Sequence, residues 1–317
     1  MRYVEVAGAR VSKIGLGTWQ FGSREWGYGS EYAEGEAVSI VRRALDLGIN
    51  LIDTAEVYAF GRSERIVGGA IAGRRHEAFL ATKIFPVFPI APVVGARARA
   101  SRQRLGVDVL DLYQLHWPNP VIGTAGAMDG MRRLLDAGTI RHVGVSNFGL
   151  AGWQQAERQL GSPVLSNQVA YNLVARRPER ELLPYAAASD RLVIAYSPLA
   201  QGLLSARYDA SNRPRRDLRR ANSLFLPENL ERARPLLTAL RDIAAAHDAT
   251  AAQVALAWVI RRPNVVAIPG ARSVAQLEAN AAAADIDLTV DEDARLNAAS
   301  DRFEPVRGPA AIPRLFR

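Results

Sequence analysis

Residues 50–64 read NLIDTAEVYAFGRSE, and their order sets the pattern for the whole chain. An apolar run ends abruptly on Asp53 and drops into a short loop carrying Tyr58. Gly61-Arg62-Ser63-Glu64 then reads as a helix start. A short apolar strand, a loop and a helix make one βα unit. The unit recurs: KIGLG (13–17), INLID (49–53), AFLATK (78–83), LDLYQLH (110–116), IRHVGVS (140–146), PVLSNQ (163–168), LVIAYS (192–197) and NVVAIP (264–269) are eight strand candidates.

Helical patterns separate them. In GEAVSIVRRALDLG, Val38, Val41 and Leu45 form one apolar face before Gly48 ends the run. SERIVGGAIAG, VVGARARASRQRLG, TAGAMDGMRRLLDAG, GWQQAERQLG, RPERELLPYAAAS and TAAQVALAWVIRRP follow in turn. Strands alternating with helices specify parallel pairing with right-handed crossovers, and eight such units predict a closed α/β (β/α)8 TIM barrel. No linker composition interrupts the series, so residues 1–317 are expected to form one domain. YVEVAGARVSKIGLG predicts an N-terminal β-hairpin. The stretch from Ala200 to Glu228 predicts a long loop after strand 7, and DEDARLNAASDRF (291–303) an extra helix before a tail rich in Pro and Arg.

Composition narrows the partners. With no cysteine, disulfide and thiolate chemistry are excluded, and no run approaches the roughly 18 apolar residues of a membrane span. The N-terminus lacks the apolar segment of a secretion signal, so the expectation is a soluble cytoplasmic protein without a membrane partner. The +8 charge is carried almost wholly by arginine, since Lys13 and Lys83 are the only lysines. The arginines are scattered apart from RPRRDLRR (213–220), and no nucleic-acid-binding signature accompanies them.

In a barrel of this kind the strand C-termini carry the chemistry. Read off those ends, the second, third and fourth strands deliver Asp53, Lys83 and His116 to one mouth, with Tyr58 beside them. Each alone has an ordinary structural explanation, but their convergence does not. A lysine ammonium lowers the pKa of a neighbouring phenol and makes it a better proton donor; a carboxylate balances the buried ammonium; an imidazole can polarise a carbonyl. No nucleophile or metal-ligand cluster is evident, so electrons must come from a cofactor.

IDTAEVY, ATK, DLYQLHWP, VGVSNF, AYSPLAQGLL and IPGARSVAQLEAN together resemble the aldo-keto reductase superfamily, in the right order over nearly the whole chain. The last of these is closest to the branch of bacterial reductases and potassium-channel β subunits. The resemblance implies NADPH-dependent reduction of aldehydes or ketones, with NADP(H) favoured over NAD(H). Tyr58 would be the proton donor, with Lys83 and Asp53 tuning it and His116 orienting the carbonyl. Trp19, Tyr58, His116 and Trp117 would face a small carbonyl substrate.

By the same resemblance Gly17, Thr18, Trp19 and Asp53 lie at the cofactor. Ser146, Asn147 and Gln168 would bind the carboxamide, and Tyr196 would stack on the nicotinamide. Ser197, Pro198, Leu199, Gln201, Gly202 and Leu203 would follow the pyrophosphate. Gly270, Arg272, Gln276 and Asn280 would hold the adenosine end, with Arg207 a second cation for its phosphate. Gly270, Ala271 and Ala279 replace the lysine, serine and glutamate common in the family. The competing reading is an NADP(H)-binding regulatory or redox-sensing subunit with little turnover, against which His116 speaks. The chain is expected to be a monomer or homo-oligomer.

Overall fold

A computed structural model describes residues 1–30, 32–214, 219, 222–306 and 308. Most of the arginine-rich run and of the C-terminal tail therefore lies outside the described residues. The chain opens with β1 (Tyr3–Val6) and β2 (Ala9–Ser12), an antiparallel hairpin. Its two-residue turn places Ala7 and Gly8 in the left-handed region, the geometry that suits the twist of paired strands.

Eight parallel strands follow: β3 (Leu16–Gly17), β4 (Leu51–Asp53), β5 (Phe79–Ile84), β6 (Leu110–Leu115), β7 (Ile140–Ser146), β8 (Ser166–Ala170), β9 (Leu192–Tyr196) and β10 (Val265–Ala267). Each pairs with its sequence neighbour. The sheet then curls so that its first and last members meet. Gly15 N–H donates to Ala267 O at 2.7 Å, Ala267 N–H to Lys13 O at 2.9 Å and Gly17 N–H to Pro269 O at 3.1 Å. A Cβ on Gly17 would stand 2.7 Å from Ile268 O, so this seam requires a residue without a side chain.

The helices are α1 (Glu34–Asp46), α2 (Arg62–Ile71), α3 (Ala91–Leu105), α4 (Ala125–Asp136), α5 (Leu150–Leu160), α6 (Leu182–Ala188), α7 (Pro227–Ala246), α8 (Ala251–Ile260), α9 (Val274–Ala282) and α10 (Val290–Asp301). One large apolar cluster fills the space between these helices and the outer face of the sheet. A second lies inside the barrel: Leu51, Phe79, Ala81, Leu112, Leu165, Leu192 and Ile194 pack with Val4, Val6 and Val11 of the hairpin. The hairpin plugs the N-terminal end, leaving the opposite end open to carry polar groups. Side chains alternate along a strand, so the parity that points Leu51, Ala81 and Leu112 inward also points Asp53, Lys83 and Gln114 inward, one layer nearer the mouth.

The elements differ from the sequence reading in three ways. RPERELLPYAAAS is split, because Glu181 leaves helical geometry between the turn at Arg177–Arg180 and α6. The first and sixth strands pair over shorter or shifted spans than KIGLG and PVLSNQ. Helix α7 was not foreseen; Pro235 inside it reads as a breaker. Pro235 lies on the exposed side, where water can hydrate the carbonyl it leaves unbonded, and Leu230, Ala233, Leu237, Leu240 and Ala244 bury the other face. The expected hairpin and extra C-terminal helix are present; the long segment after β9, of which residues 215–218, 220 and 221 lie outside the described residues, opens with a turn at Ala200–Ser205.

Candidate active site at the barrel mouth

Asp53 ends β4, and its carboxylate is held from three sides. Lys83 Nζ donates to Oδ1 at 2.6 Å, Gln168 Nε2 to Oδ2 at 2.8 Å and Gln114 Nε2 to Oδ2 at 3.4 Å. Lys83 is fully buried and uses its other two protons on Thr54 O at 2.9 Å and the Tyr58 hydroxyl at 3.2 Å. Every donor on the ammonium is thus satisfied, as a buried charge requires. Burial alone would depress Lys83, but Asp53 and Tyr58 outweigh it and hold the group above its ordinary 10.5. It stays an ammonium.

Tyr58 behaves differently from the sequence expectation. Burial raises its phenol above the usual 10; Lys83 pulls the other way and Asp53 adds to the rise. The phenol therefore rests protonated, and the Lys83 charge bears on the phenolate that proton loss would leave. The His116 ring lies edge-on to Tyr58 with centroids 5.9 Å apart. Burial, aided by Lys83, lowers His116 to about 3, so it is a neutral imidazole at physiological pH. Its Nδ1 is buried with no partner among the described protein groups.

These groups open into a cleft of about 530 Å³. Most of the residues singled out from the sequence line it: Gly17, Thr18 and Trp19 after β3, Asp53 and Tyr58, His116 and Trp117, Ser146 and Asn147, and Gln168. Tyr196 to Leu199, Gln201, Gly202, Gly270, Arg272 and Gln276 complete the set. Lys83 sits behind the wall. Leu203 is buried in the core, Arg207 is absent from the lining, and Asn280 acts from below by donating Nδ2 to Gly270 O at 3.3 Å.

The polar wall is internally bonded. Ser146 Oγ donates to Gln168 O, Asn147 Nδ2 donates to Ser146 Oγ, and the Tyr196 hydroxyl donates to Asn147 Oδ1 at 2.9 Å. Neither Asp53 nor Ser146-Asn147 caps a helix: the following N-caps are Gly61 and Gly149. Arg272 does not open α9 but precedes its cap, Ser273, and its N–H donates to Gln276 Oε1.

The sequence reading passed over Gln20, Trp26, Val57, Arg219, Ile268 and Pro269, which also line the cleft. Trp26 packs edge-on against Trp19 at 5.1 Å, and the Arg219 guanidinium lies 5.1 Å over the Trp26 ring while its Nε donates to Gln201 O. Loop tertiary structure brings these together, and strand periodicity carries no sign of it. Gln114 was within reach, since on β6 it shares the inward parity of His116 just past the strand's end.

Residues 13–301 match the model of the Aldo/keto reductase family. The chain belongs to that family. It is an oxidoreductase. It is 53% identical over 307 residues to an uncharacterized oxidoreductase of Mycobacterium tuberculosis, covering 96% of this chain and 95% of that one. It is 36% identical over 287 residues to a methylglyoxal reductase of Escherichia coli, covering 90% of each. Among solved structures, an aldo/keto reductase from Klebsiella pneumoniae in complex with NADP and acetate superposes with a TM-score of 0.75. It is 32% identical, with 93% of this chain and 94% of that chain covered.

Proposed function

We propose that the chain reduces an aldehyde or ketone to its alcohol using NADPH. The observation that carries this reading is the chain of contacts from Asp53 through Lys83 to the Tyr58 hydroxyl, with a neutral His116 beside it at the same mouth.

The cleft's donor set suits a dinucleotide. Ser146, Asn147 and Gln168 would hold the nicotinamide amide, with Tyr196 against its ring. The segment Ser197–Gly202 turns through left-handed geometry at Ser197, Ala200, Gln201 and Gly202, which folds its backbone close around the cleft where a pyrophosphate would lie. Arg272 stands just before the N-terminus of α9, where backbone N–H groups and the helix dipole already favour an anion, and would take the ribose phosphate. Arg219 supplies a second cation at the same cleft.

When bound, the dinucleotide supplies a hydride to the carbonyl carbon. The protein's own residues handle the rest. The neutral His116 ring carries one N–H that can hydrogen-bond the carbonyl oxygen and polarise it. Tyr58 gives its proton to that oxygen as negative charge develops there. Lys83 stabilises the phenolate left behind, and Asp53 keeps Lys83 charged and fixed. Trp19 and Trp117 flank the entrance with apolar surface.

Mixing the protein with NADPH and an aromatic aldehyde, and following NADPH absorbance, tests the reading. Aldehyde-dependent consumption is expected, and a rate equal to that without enzyme would reject it.

A further inference from the structure

The loop that carries Tyr58 leaves the sheet almost at once. Thr54 N–H donates to Ala81 O at 2.9 Å and Glu56 N–H to Lys83 O at 3.3 Å, continuing the β4–β5 ladder past Asp53. Beyond Glu56 the backbone bonds turn local: Tyr58 N–H donates to Ala55 O and Phe60 N–H to Val57 O. Ala59 and Phe60 then take left-handed geometry, which neither residue type prefers. Local preference therefore does not hold Tyr58 in place. The contact from Lys83 to its hydroxyl is also the longest of the three that the ammonium makes, at 3.2 Å.

The Glu56 side chain continues the tie where the ladder stops. It is only 8% exposed. Its Oε1 accepts at 2.5 Å from the N–H of Phe85, one residue past the end of β5, and its Oε2 accepts from Arg97 Nε of α3 at 2.9 Å. Arg97 Nη2 also pairs with Oε1, and Nη1 donates to Phe85 O at 2.9 Å. Glu56, Phe85 and Arg97 thus form a closed ring of hydrogen bonds in which each member holds the other two.

Two aromatic side chains hang from this ring. Tyr58 lies two residues after Glu56, and Phe85 belongs to the ring itself. Both stand edge-on to His116, with centroids 5.9 and 6.1 Å away. His116 N–H in turn donates at 2.9 Å to the carbonyl of Ile84, the residue before Phe85. Groups from three successive strand ends are therefore referred to one carboxylate. Glu56 itself does not line the cleft.

We propose that Glu56 is a positioning residue for the reduction: with Arg97 it fixes the Tyr58 loop to the loop after β5, and so sets the reach of the phenol from Lys83 and the seat of His116. The inference rests on the reductase reading and deepens it. Tyr58 donates its proton only as charge develops on the carbonyl oxygen, so a loosened tie slows the chemical step and leaves binding alone. Loosening also carries the phenol away from the Lys83 charge, which pulls its pKa down against burial and Asp53; His116 beside it is neutral.

The test compares wild type with Glu56→Ala, Glu56→Gln, Arg97→Met and the Glu56→Ala/Arg97→Met double variant. Single-turnover NADPH oxidation with an aromatic aldehyde is followed over a pH series, beside NADPH titration and thermal melting. Glu56→Ala should slow the chemical step by about tenfold, less than the roughly 10²-fold cost of a 1 Å misplacement, with NADPH affinity unchanged. Its alkaline loss of activity should move to higher pH. Glu56→Gln should recover part of the rate, since its amide oxygen can still accept from Phe85 N–H. Arg97→Met should be slowed in the same direction and add little to Glu56→Ala, because the ring acts as a unit. A wild-type rate in Glu56→Ala, a slowed rate with the wild-type pH profile, or fully additive losses would overturn the inference. If Glu56→Ala does not fold, Glu56→Gln, Arg97→Met and their double variant are read for the same outcomes. If wild type reduces no aldehyde, the reductase reading fails instead. The tie is then judged by the His116 ring signal in NMR of histidine-labelled protein, assigned by its loss in His116→Asn. A displaced signal in Glu56→Gln and Arg97→Met supports the tie, and a signal at the wild-type position overturns it.

Discussion

The two lysines of this chain sit at opposite ends of the barrel and have opposite fates. Lys83, at the mouth, is fully buried and faces a carboxylate and a phenol, which hold it above its ordinary value against burial. Lys13, where the first and last barrel strands meet, donates to the carbonyls of Arg262, Pro263 and Val265 at 2.6, 2.5 and 3.2 Å. No carboxylate offsets its desolvation, and burial together with Arg2 pulls it down to about 8. A lysine's role is set by its partners. A full opposite charge keeps one ammonium available to tune a neighbour, while three carbonyl dipoles make the other a clamp on the loop between α8 and β10.

The largest expected effect is at the mouth. Tyr58→Phe removes the proton donor and should lower turnover by about 10²-fold or more, with NADPH affinity and melting temperature nearly unchanged. Steady-state kinetics beside a cofactor titration reads this directly, and near-normal turnover would remove Tyr58 from the reaction. Next comes the cation at the cleft's outer end. Arg272→Ala should weaken NADPH by about 1.5–3 kcal/mol and leave NADH almost untouched, the loss expected for one charged hydrogen bond. Equal losses for both cofactors would place Arg272 away from the ribose phosphate.

Lys13→Met should do the reverse of Tyr58→Phe. Stability should fall by about 1–2 kcal/mol as the three carbonyls lose their donor, while kcat/KM holds. The pH dependence gives a second check. Lys13 has a lower pKa folded than unfolded, so between about 8 and 10.5 the unfolded chain holds the proton more often. Its contribution to stability therefore grows with rising pH across that window. Chemical denaturation at several pH values should show the gap between wild type and Lys13→Met widening. Lys83 has the opposite sign: its contribution is present below 10.5 and is lost as pH rises through its higher folded value.

Much of this was visible in the sequence because the barrel is built from repeated local patterns. Strand periodicity and strand ends were enough to bring Asp53, Lys83 and His116 together, since closure of eight βα units leaves few alternatives. What escaped depends on tertiary structure. The rise in the Tyr58 pKa comes from burial, which no local pattern reports. Trp26 and Arg219 reach the cleft through loops whose course is set by packing, and α7 was hidden by a proline whose exposed placement only the fold reveals.

The central claim is that the charge on Lys83, and not that on Lys13, pulls the Tyr58 pKa down against the rise that burial imposes. Its most direct test is the pH dependence of kcat/KM for aldehyde reduction in wild type, Lys83→Met and Lys13→Met. Removing the Lys83 charge lets the phenol's pKa rise further, so the alkaline loss of activity should move to higher pH in Lys83→Met, at reduced turnover throughout. Lys13→Met should retain the wild-type profile. A wild-type profile in Lys83→Met, or an equal displacement in both variants, would contradict the account.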